Sequence, residues 1–418
     1  MSDLIPLDSA LRLKFAWAEA PACRRVIAAL ERAAPAGARF VGGCVRNPLI
    51  GAPVADVDIA TVLEPAETIA ALEAAGITAV PTGLAHGTIT AVAEGEAFEI
   101  TSLRADVDTD GRHATVQFTR DWEEDWRRRD FTINAIYLTP DYRLWDPAGG
   151  ADDARDGRLR FIGAAAARIR EDYLRILRFY RFWAQYPSLD MTAEDEKVCA
   201  RMRDGVARLS RERIRDELMK LLAAPRAGAA LRKLDRNGVW RQIGLGDPNA
   251  DRLDRLAAIE AGLGRPPSPW LRLAAAASSS ADDLADALRL SNAARRLLRA
   301  ATAPEAPIHR DMSETEARSA LYRLGRENYE AAALLVWAEE GRSPEDEAWR
   351  RIIGLPDRWT PPEFPVSGDD LRAAGVSPGP ELGRLLRGLE ARWLEMGMPA
   401  RDVMLCELTE VLKMKGAR

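Results

Sequence analysis

The feature that most restricts how this chain can fold is a change of hydrophobic pattern at Gly149-Gly150. Before it, apolar residues come in short alternating or β-rich runs punctuated by glycine. Beyond about residue 165 they recur at helical spacing to the end of the chain. Strand side chains alternate between two faces, whereas helical ones repeat about every 3.6 residues, so the two halves cannot share one architecture. The first half is predicted to hold an amphipathic helix over 9–33, strands over 39–41 and 55–61, and a helix over 67–75 closed by Gly76. Strands over 77–81, 87–93 and 97–103 follow. The second half is predicted to be helical, broken by loops near Pro225, 244–248, 266–269 and 356–365. The fold class is α+β: a mixed α/β head (1–150) followed by a helical neck (151–225), body (226–355) and tail (356–418).

At 418 residues and ~100–200 residues per domain, two to four folding units are expected. No apolar run approaches the ~18 residues of a membrane span. Asp3, Pro6 and Asp8 stand where a secretory signal needs an apolar core, so none is expected and the location read is cytoplasmic. Cys23, Cys44, Cys199 and Cys406 form no CxxC pair, and free thiols are expected. His86, His113 and His309 lie at no ligand spacing to a cysteine, which argues against zinc. The net charge of −5 alone leans against a nucleic-acid partner. Arginine nevertheless concentrates between Arg155 and Arg215. An arginine-rich genome accounts for the total but not for the clustering.

Four segments carry candidate chemistry. In Val41-Gly42-Gly43-Cys44-Val45-Arg46 a strand runs into two glycines and then a helix, a turn that lets backbone N–H groups and Arg46 approach an anion. Such a pair of glycines also makes an ordinary tight turn. In Asp56-Val57-Asp58 a strand places two carboxylates on one face, where they repel unless a cation such as Mg²⁺ lies between them. A solvated strand edge is the plainer reading of that pair alone. Arg127-Arg128-Arg129-Asp130-Phe131-Thr132-Ile133-Asn134 suits contact to a ribose and triphosphate, or simply a helix start capped by Asp130. Finally, Asp172, Arg175, Arg178 and Arg181 recur every third residue, on one drifting helix face if one helix holds them. Helical ion pairing is the plainer alternative there, though three arginines exceed their acids.

Together these segments resemble the class II tRNA nucleotidyltransferase family, the bacterial CCA-adding enzymes and related poly(A) polymerases. The resemblance is dense from residue 39 to about 222. It includes the glycine turn, Asp56 and Asp58, the 128–134 segment, Asp146-Pro147 with Gly149-Gly150, the 171–178 neck, and Arg211-Glu212-Arg213-Ile214 with Glu217-Leu218. It implies a polymerase-beta-like head that binds triphosphate through Gly43, Arg46 and Arg129, with Mg²⁺ in a two-ion site held by Asp56 and Asp58. Glu99 is a candidate third catalytic carboxylate, or merely an exposed strand residue. It also implies CTP, ATP and tRNA as partners, with no DNA and no membrane. Two positions depart from the family pattern. Asn47 stands where aspartate is usual and could weaken the order of the glycine turn, and His113 stands in a loop that often carries a second arginine.

Base chemistry agrees with the resemblance. Cytosine and adenine each present an amino donor beside a ring-nitrogen acceptor, while uracil and guanine present a carbonyl beside a ring N–H. A carboxylate and a guanidinium, Asp172 and Arg175, therefore select both correct bases together, because a wrong base leaves both groups mispaired at ~1–3 kcal/mol each. Arg178 and Arg181 are expected near the triphosphate or beside Asp172. The expected reaction is attack of an RNA 3′-hydroxyl on the α-phosphate with release of pyrophosphate. A poly(A) polymerase should have a more basic tail than Lys413-Met414-Lys415 provides. The loop over 104–118 favours complete CCA addition over partial addition, and intact Asp56 and Asp58 oppose an inactive RNA-binding scaffold.

Overall fold

The computed structural model describes residues 4–109 and 114–416. The chain divides into two compact units, Met1–Gly244 and Leu245–Arg418.

The first unit is built on one mixed sheet. Its strands are β1 (Ile5–Pro6), β2 (Ala38–Val41), β3 (Asp58–Thr61), β4 (Thr78–Gly83), β5 (Thr88–Ala93), β6 (Glu96–Ser102), then, after the hairpin β7 (Arg104–Thr109) and β8 (Ala114–Phe118), β9 (Tyr137–Leu138) and β10 (Arg143–Trp145). The order across the sheet is β1-β10-β9-β2-β3-β6-β5-β4, with β7 and β8 paired separately. Neighbours are antiparallel except β3 and β6, which run parallel and set Asp58 opposite Glu99. β1, β9 and β10 escape the sequence reading because runs of two or three residues show no alternation.

The alternation of β2 and β3 decides where the chemistry can lie. Phe40, Ile59, Ile100 and Leu138 point into a core shared with the helix Pro21–Ala33. Val41, Ala60 and Tyr137 join a smaller cluster with Trp145 and Leu103 on the opposite face. Asp58 pairs with Val41 and lies two residues before Ala60, so it belongs to this second face.

Three helical expectations are corrected. The helix over 9–33 is broken into Ser9–Leu13, a 3₁₀ turn Ala16–Glu19, and Pro21–Ala33. Pro21 holds Ala20 at φ −55°, ψ 136°, outside the helical region, as the ring of a following proline demands. The neck is also not purely helical, since β11 (Arg158–Leu159) and β12 (Asp190–Met191) form a short parallel pair. Within it, the helices Ala165–Glu171 and Leu174–Gln185 are separated at Asp172 and Tyr173.

The second unit is helical. Trp337 and Trp349 stack there at 6.0 Å, and Leu371, Leu389, Trp393 and Met404 centre a further core. Its longest helix, Glu314–Glu340, opens with a Ser313–Glu316 capping box and is interrupted at Gly325 (φ 73°, ψ 163°).

Candidate active site

β2 ends at the glycine turn. Gly42 has φ 72°, and a Cβ there would lie 3.0 Å from Asp58 Oδ2, so both backbone angle and space require glycine. The Gly43 N–H donates to the Asp58 carboxylate. Burial, then the nearby Glu99 charge, push Asp58 up to about 6, with Asp56 adding to the effect. Asp56 itself is exposed and precedes the strand, which begins at Asp58. The expectation that both aspartates sit on one strand face is thus corrected. The turn at 51–57 carries Asp56, and Glu99 is the residue that shares the Asp58 register.

A cleft of about 470 Å³ opens beside this turn. Among the described residues its walls include seven arginines against three aspartates, Asp58, Asp130 and Asp172. The cleft lining thus carries an excess of arginine although the chain as a whole is acidic. Of the residues singled out by sequence, the cleft brings together Asp58, Arg46, Arg129, Asp172, Arg175 and Arg178. Asp56, Glu99, Gly43 and Arg181 are not among its walls.

Each arginine is held differently. Arg46 is buried, and its hydrogen-bond partners are neutral: Asn134 Oδ1 at 2.5 Å, the Tyr186 hydroxyl at 2.5 Å and Asn47 Oδ1 at 2.8 Å. Burial lowers its pKa, and the Tyr186 hydroxyl and the Asp130 charge act in the opposite direction. Asn47, the residue that departs from the family pattern, contacts two residues through its side chain. It holds Arg46 through its oxygen and donates to the Pro53 carbonyl at 2.7 Å.

Arg128 and Arg129 share one buried carboxylate, Asp125, at 2.5 and 2.9 Å. The Tyr137 hydroxyl donates to that carboxylate at 2.7 Å. Burial opposes the Asp125 charge, yet the two guanidiniums hold its pKa well below the usual carboxylate range. Asp125 was missed in the sequence, although its spacing of three and four residues to the arginines is the signal of a shared helical turn. Asp130 is no helix cap. One oxygen accepts from the Phe131 N–H and Asn134, and the other pairs with Arg178 at 2.6 Å. Burial disfavours its charge, but chiefly Arg178 brings it down to about 2.

Arg175 donates to Glu171 at 2.6 Å and to the Arg128 carbonyl at 2.6 Å. Together with Arg178–Asp130, this latches the neck helix onto the 128–130 segment. Behind that segment, Asp146 accepts from the N–H groups of Gly150 and Ala151, both at 2.8 Å, and a Cβ at Gly150 would collide with the Thr132 backbone. The Asp146 to Gly150 motif is thus a clamp on the site rather than part of it. Arg181 turns away to buried Glu217 at 2.5 Å. Asp172 has φ −156° and lies between two helices, so the shared helix face predicted for Asp172 and Arg175 is replaced by a helix start. His113 and the rest of 110–113 fall outside the described residues.

Residues 38–160 match the poly A polymerase head domain, and 189–245 match a probable RNA- and SrmB-binding site of polymerase A. Over 392 residues the chain is 34% identical to the mitochondrial CCA tRNA nucleotidyltransferase 1 of Danio rerio, covering 89% of this chain and 87% of that one. The chain belongs to the CCA-adding tRNA nucleotidyltransferase and poly(A) polymerase family. A CCA-adding enzyme of Lactobacillus delbrueckii is 30% identical over 86% of this chain and 90% of its own. The Bacillus stearothermophilus CCA-adding enzyme, solved in complex with CTP, superposes with a TM-score of 0.76 at 27% identity, over 95% of this chain and 99% of that one. The family's α/β head and helical remainder are what the sequence pattern predicted.

Proposed function

We propose that this chain adds C, C and A in turn to the 3′ end of tRNA from CTP and ATP, without a nucleic-acid template, releasing pyrophosphate. The observation that carries this reading is one cationic cleft joining Asp58 of the sheet to Asp172 and Arg175 at the start of the neck helix. Arg46, whose hydrogen-bond partners among the described residues are neutral, supplies positive charge to the triphosphate. Arg129 and the Gly43 turn stand beside it. Asp172 accepts the exocyclic amino group shared by cytosine and adenine, and Arg175 donates to the ring nitrogen next to it. Arg178 keeps the 128–130 segment and the neck in register, and Arg181 supports it from behind through Glu217.

Nucleotidyltransferases of this family depend in general on divalent metal. The donor chemistry here fits Mg²⁺: Asp58, with the charges of Glu99 and Asp56 close enough to raise its pKa, offers oxygen ligands alone. Among the described residues no group of three or more Asp, Glu, His or Cys side chains is gathered to hold an ion, so triphosphate oxygens would complete the shell. Bound by Asp58 and Asp56, Mg²⁺ would lower the pKa of the attacking hydroxyl and neutralise the leaving pyrophosphate. Glu99 is kept as a third carboxylate acting on the same face as Asp58.

The reading assigns 1–150 to catalysis, 151–225 to base selection, and 226–355 and 356–418 to tRNA shape and phosphates. No helix among the described residues is long and apolar enough to cross a membrane, and cytoplasmic work on tRNA is the compartment proposed, although animal relatives carry mitochondrial names. The test is single-turnover incorporation of C and A by Asp58→Ala and Asp56→Ala. Loss of incorporation with near-normal tRNA affinity is expected. A rate near wild type in either variant would remove that aspartate from the metal site.

A further inference from the structure

Beyond Asp58 the same face of the sheet continues across three further strands. Pairing sets Asp58 opposite Glu99, Glu99 opposite Thr90, and Thr90 opposite Val80, so one row runs from β3 through β6 and β5 to β4. The next row sets Thr101 opposite Thr88, and their hydroxyls meet at 3.2 Å. Residues directly opposite one another share a face, and successive ones along a strand alternate. The alternate residues Ile89, Ala91, Phe98 and Ile100 are buried in the core with the helix Pro21–Ala33. On the Asp58 face, by contrast, Glu99, Val80 and Val92 are exposed and Thr88 and Thr90 are partly so. β4, β5 and β6 carry no lysine or arginine. Beyond Glu99 this strip is therefore uncharged, built of hydroxyls and two valines, and quite unlike the arginine-lined cleft.

The strand order puts this strip and the glycine turn on opposite sides of Asp58. β2, which leads into the turn and Arg46, borders β3 on one side, and β6, β5 and β4 follow on the other. In-line displacement at the α-phosphate needs the attacking hydroxyl opposite the leaving pyrophosphate. With the triphosphate on the arginine side, the RNA end comes in over the strip. We propose that Thr88 and Thr90 bind the ribose 2′-hydroxyls of the last two nucleotides of the tRNA, with Val80 and Val92 against a base. This rests on the reading of Asp58 as the catalytic centre. Strands ~4.8 Å apart put β5 about 10 Å from the Asp58 strand, past the reacting 3′-hydroxyl but within the span of a dinucleotide. A threonine hydroxyl both donates and accepts, as a 2′-hydroxyl does, and that group separates RNA from DNA. An uncharged strip also suits an end that shifts by one nucleotide after each addition, because no phosphate is clamped there.

The test follows single-turnover addition of A to tRNA ending in CC, whose last two cytidines carry either ribose or 2′-deoxyribose. The concentration dependence gives an apparent Kd for each substrate. Wild type should bind the deoxy substrate about tenfold more weakly, the scale of one or two neutral hydrogen bonds. Thr88→Val/Thr90→Val should weaken the ribose substrate about tenfold and leave the deoxy substrate unchanged, so that the two become alike. The KM for ATP and the thermal stability of this variant should stay close to wild type, since valine is well suited to a strand. Val80→Glu places a carboxylate in the path of the RNA phosphates and should weaken both substrates by about tenfold, more so at low salt. An undiminished ribose preference in the double threonine variant overturns the proposal. Equal weakening of both substrates in that variant also overturns it, because loss of sheet structure does not distinguish the two sugars. Unchanged tRNA affinity in Val80→Glu would show that the RNA does not cross this strip. Failure of wild type to add A to the ribose substrate at all would instead remove the proposed function, and this site with it.

Discussion

At the scale of single residues, the site depends on buried carboxylates that hold its arginines in place. Asp125 is buried and balances two arginines at once. Asp125→Asn leaves both guanidiniums short of charge in a dry setting, and should cost about 3–5 kcal/mol in denaturant unfolding. Asp125 and Asp130 also make stability pH-dependent. Both are held below the ordinary carboxylate value, Asp130 at about 2 against 3.8. The folded state thus binds fewer protons than the unfolded chain in that interval. Their stabilisation is complete above the unfolded pKa and is lost as pH falls through the folded one. Unfolding free energies taken from about pH 5 down to about pH 2 should fall more steeply in wild type than in Asp130→Asn. Equal slopes would mean that Asp130 is not the depressed group.

At the scale of elements, regular segments were legible and their interruptions were not. The alternation of 39–41, 87–93 and 97–103 and the capped helix over 67–75 could be read directly, because each pattern fills a whole strand or helix. The breaks at Ala20, Asp172 and Gly325 were missed, since hydrophobic spacing continues across them. Pro21 could have flagged the first. Asp172 could have flagged the second as a residue that caps helices, its carboxylate accepting from the Leu174 N–H. The candidate site was legible where one motif holds both charge and glycine, as at Gly42 to Arg46. It was illegible where a partner is remote in sequence: Arg213 lies 41 residues from Asp172, and Glu217 lies 36 from Arg181. Gly325 offers an element-scale test. Its φ of 73° with ψ of 163° is a region for glycine, and nothing lies within 4 Å of where a Cβ would stand. Gly325→Ala should therefore destabilise the second unit through backbone strain alone, by about 1–3 kcal/mol. Selection among the four triphosphates should be unchanged, and a shift in that selection would link the kink to the chemistry.

At the scale of the whole molecule, the arginine-rich stretch from Arg155 to Arg215 is less free to bind RNA than its sequence suggests. Arg155, Arg158, Arg160, Arg175, Arg178, Arg181 and Arg213 all pair with acids of the chain. The affinity for tRNA should still fall with salt, because exposed Arg170 and Arg201 remain on this stretch. The slope of log K against log salt should be far shallower than the arginine count implies, and each of Arg170→Ala and Arg201→Ala should reduce it by about one at most. A slope unmoved by both substitutions would place the RNA face elsewhere. Above this stands the question of what the cleft makes. The measurement that tests it most directly is the sequence of the product formed from tRNA lacking its last three nucleotides, given all four triphosphates and Mg²⁺. Molecules ending in CCA and no longer, with one pyrophosphate released per nucleotide added, are the expected result. A homopolymer of A, a product stopped at CC, or incorporation of U and G at rates near those of C and A would contradict it.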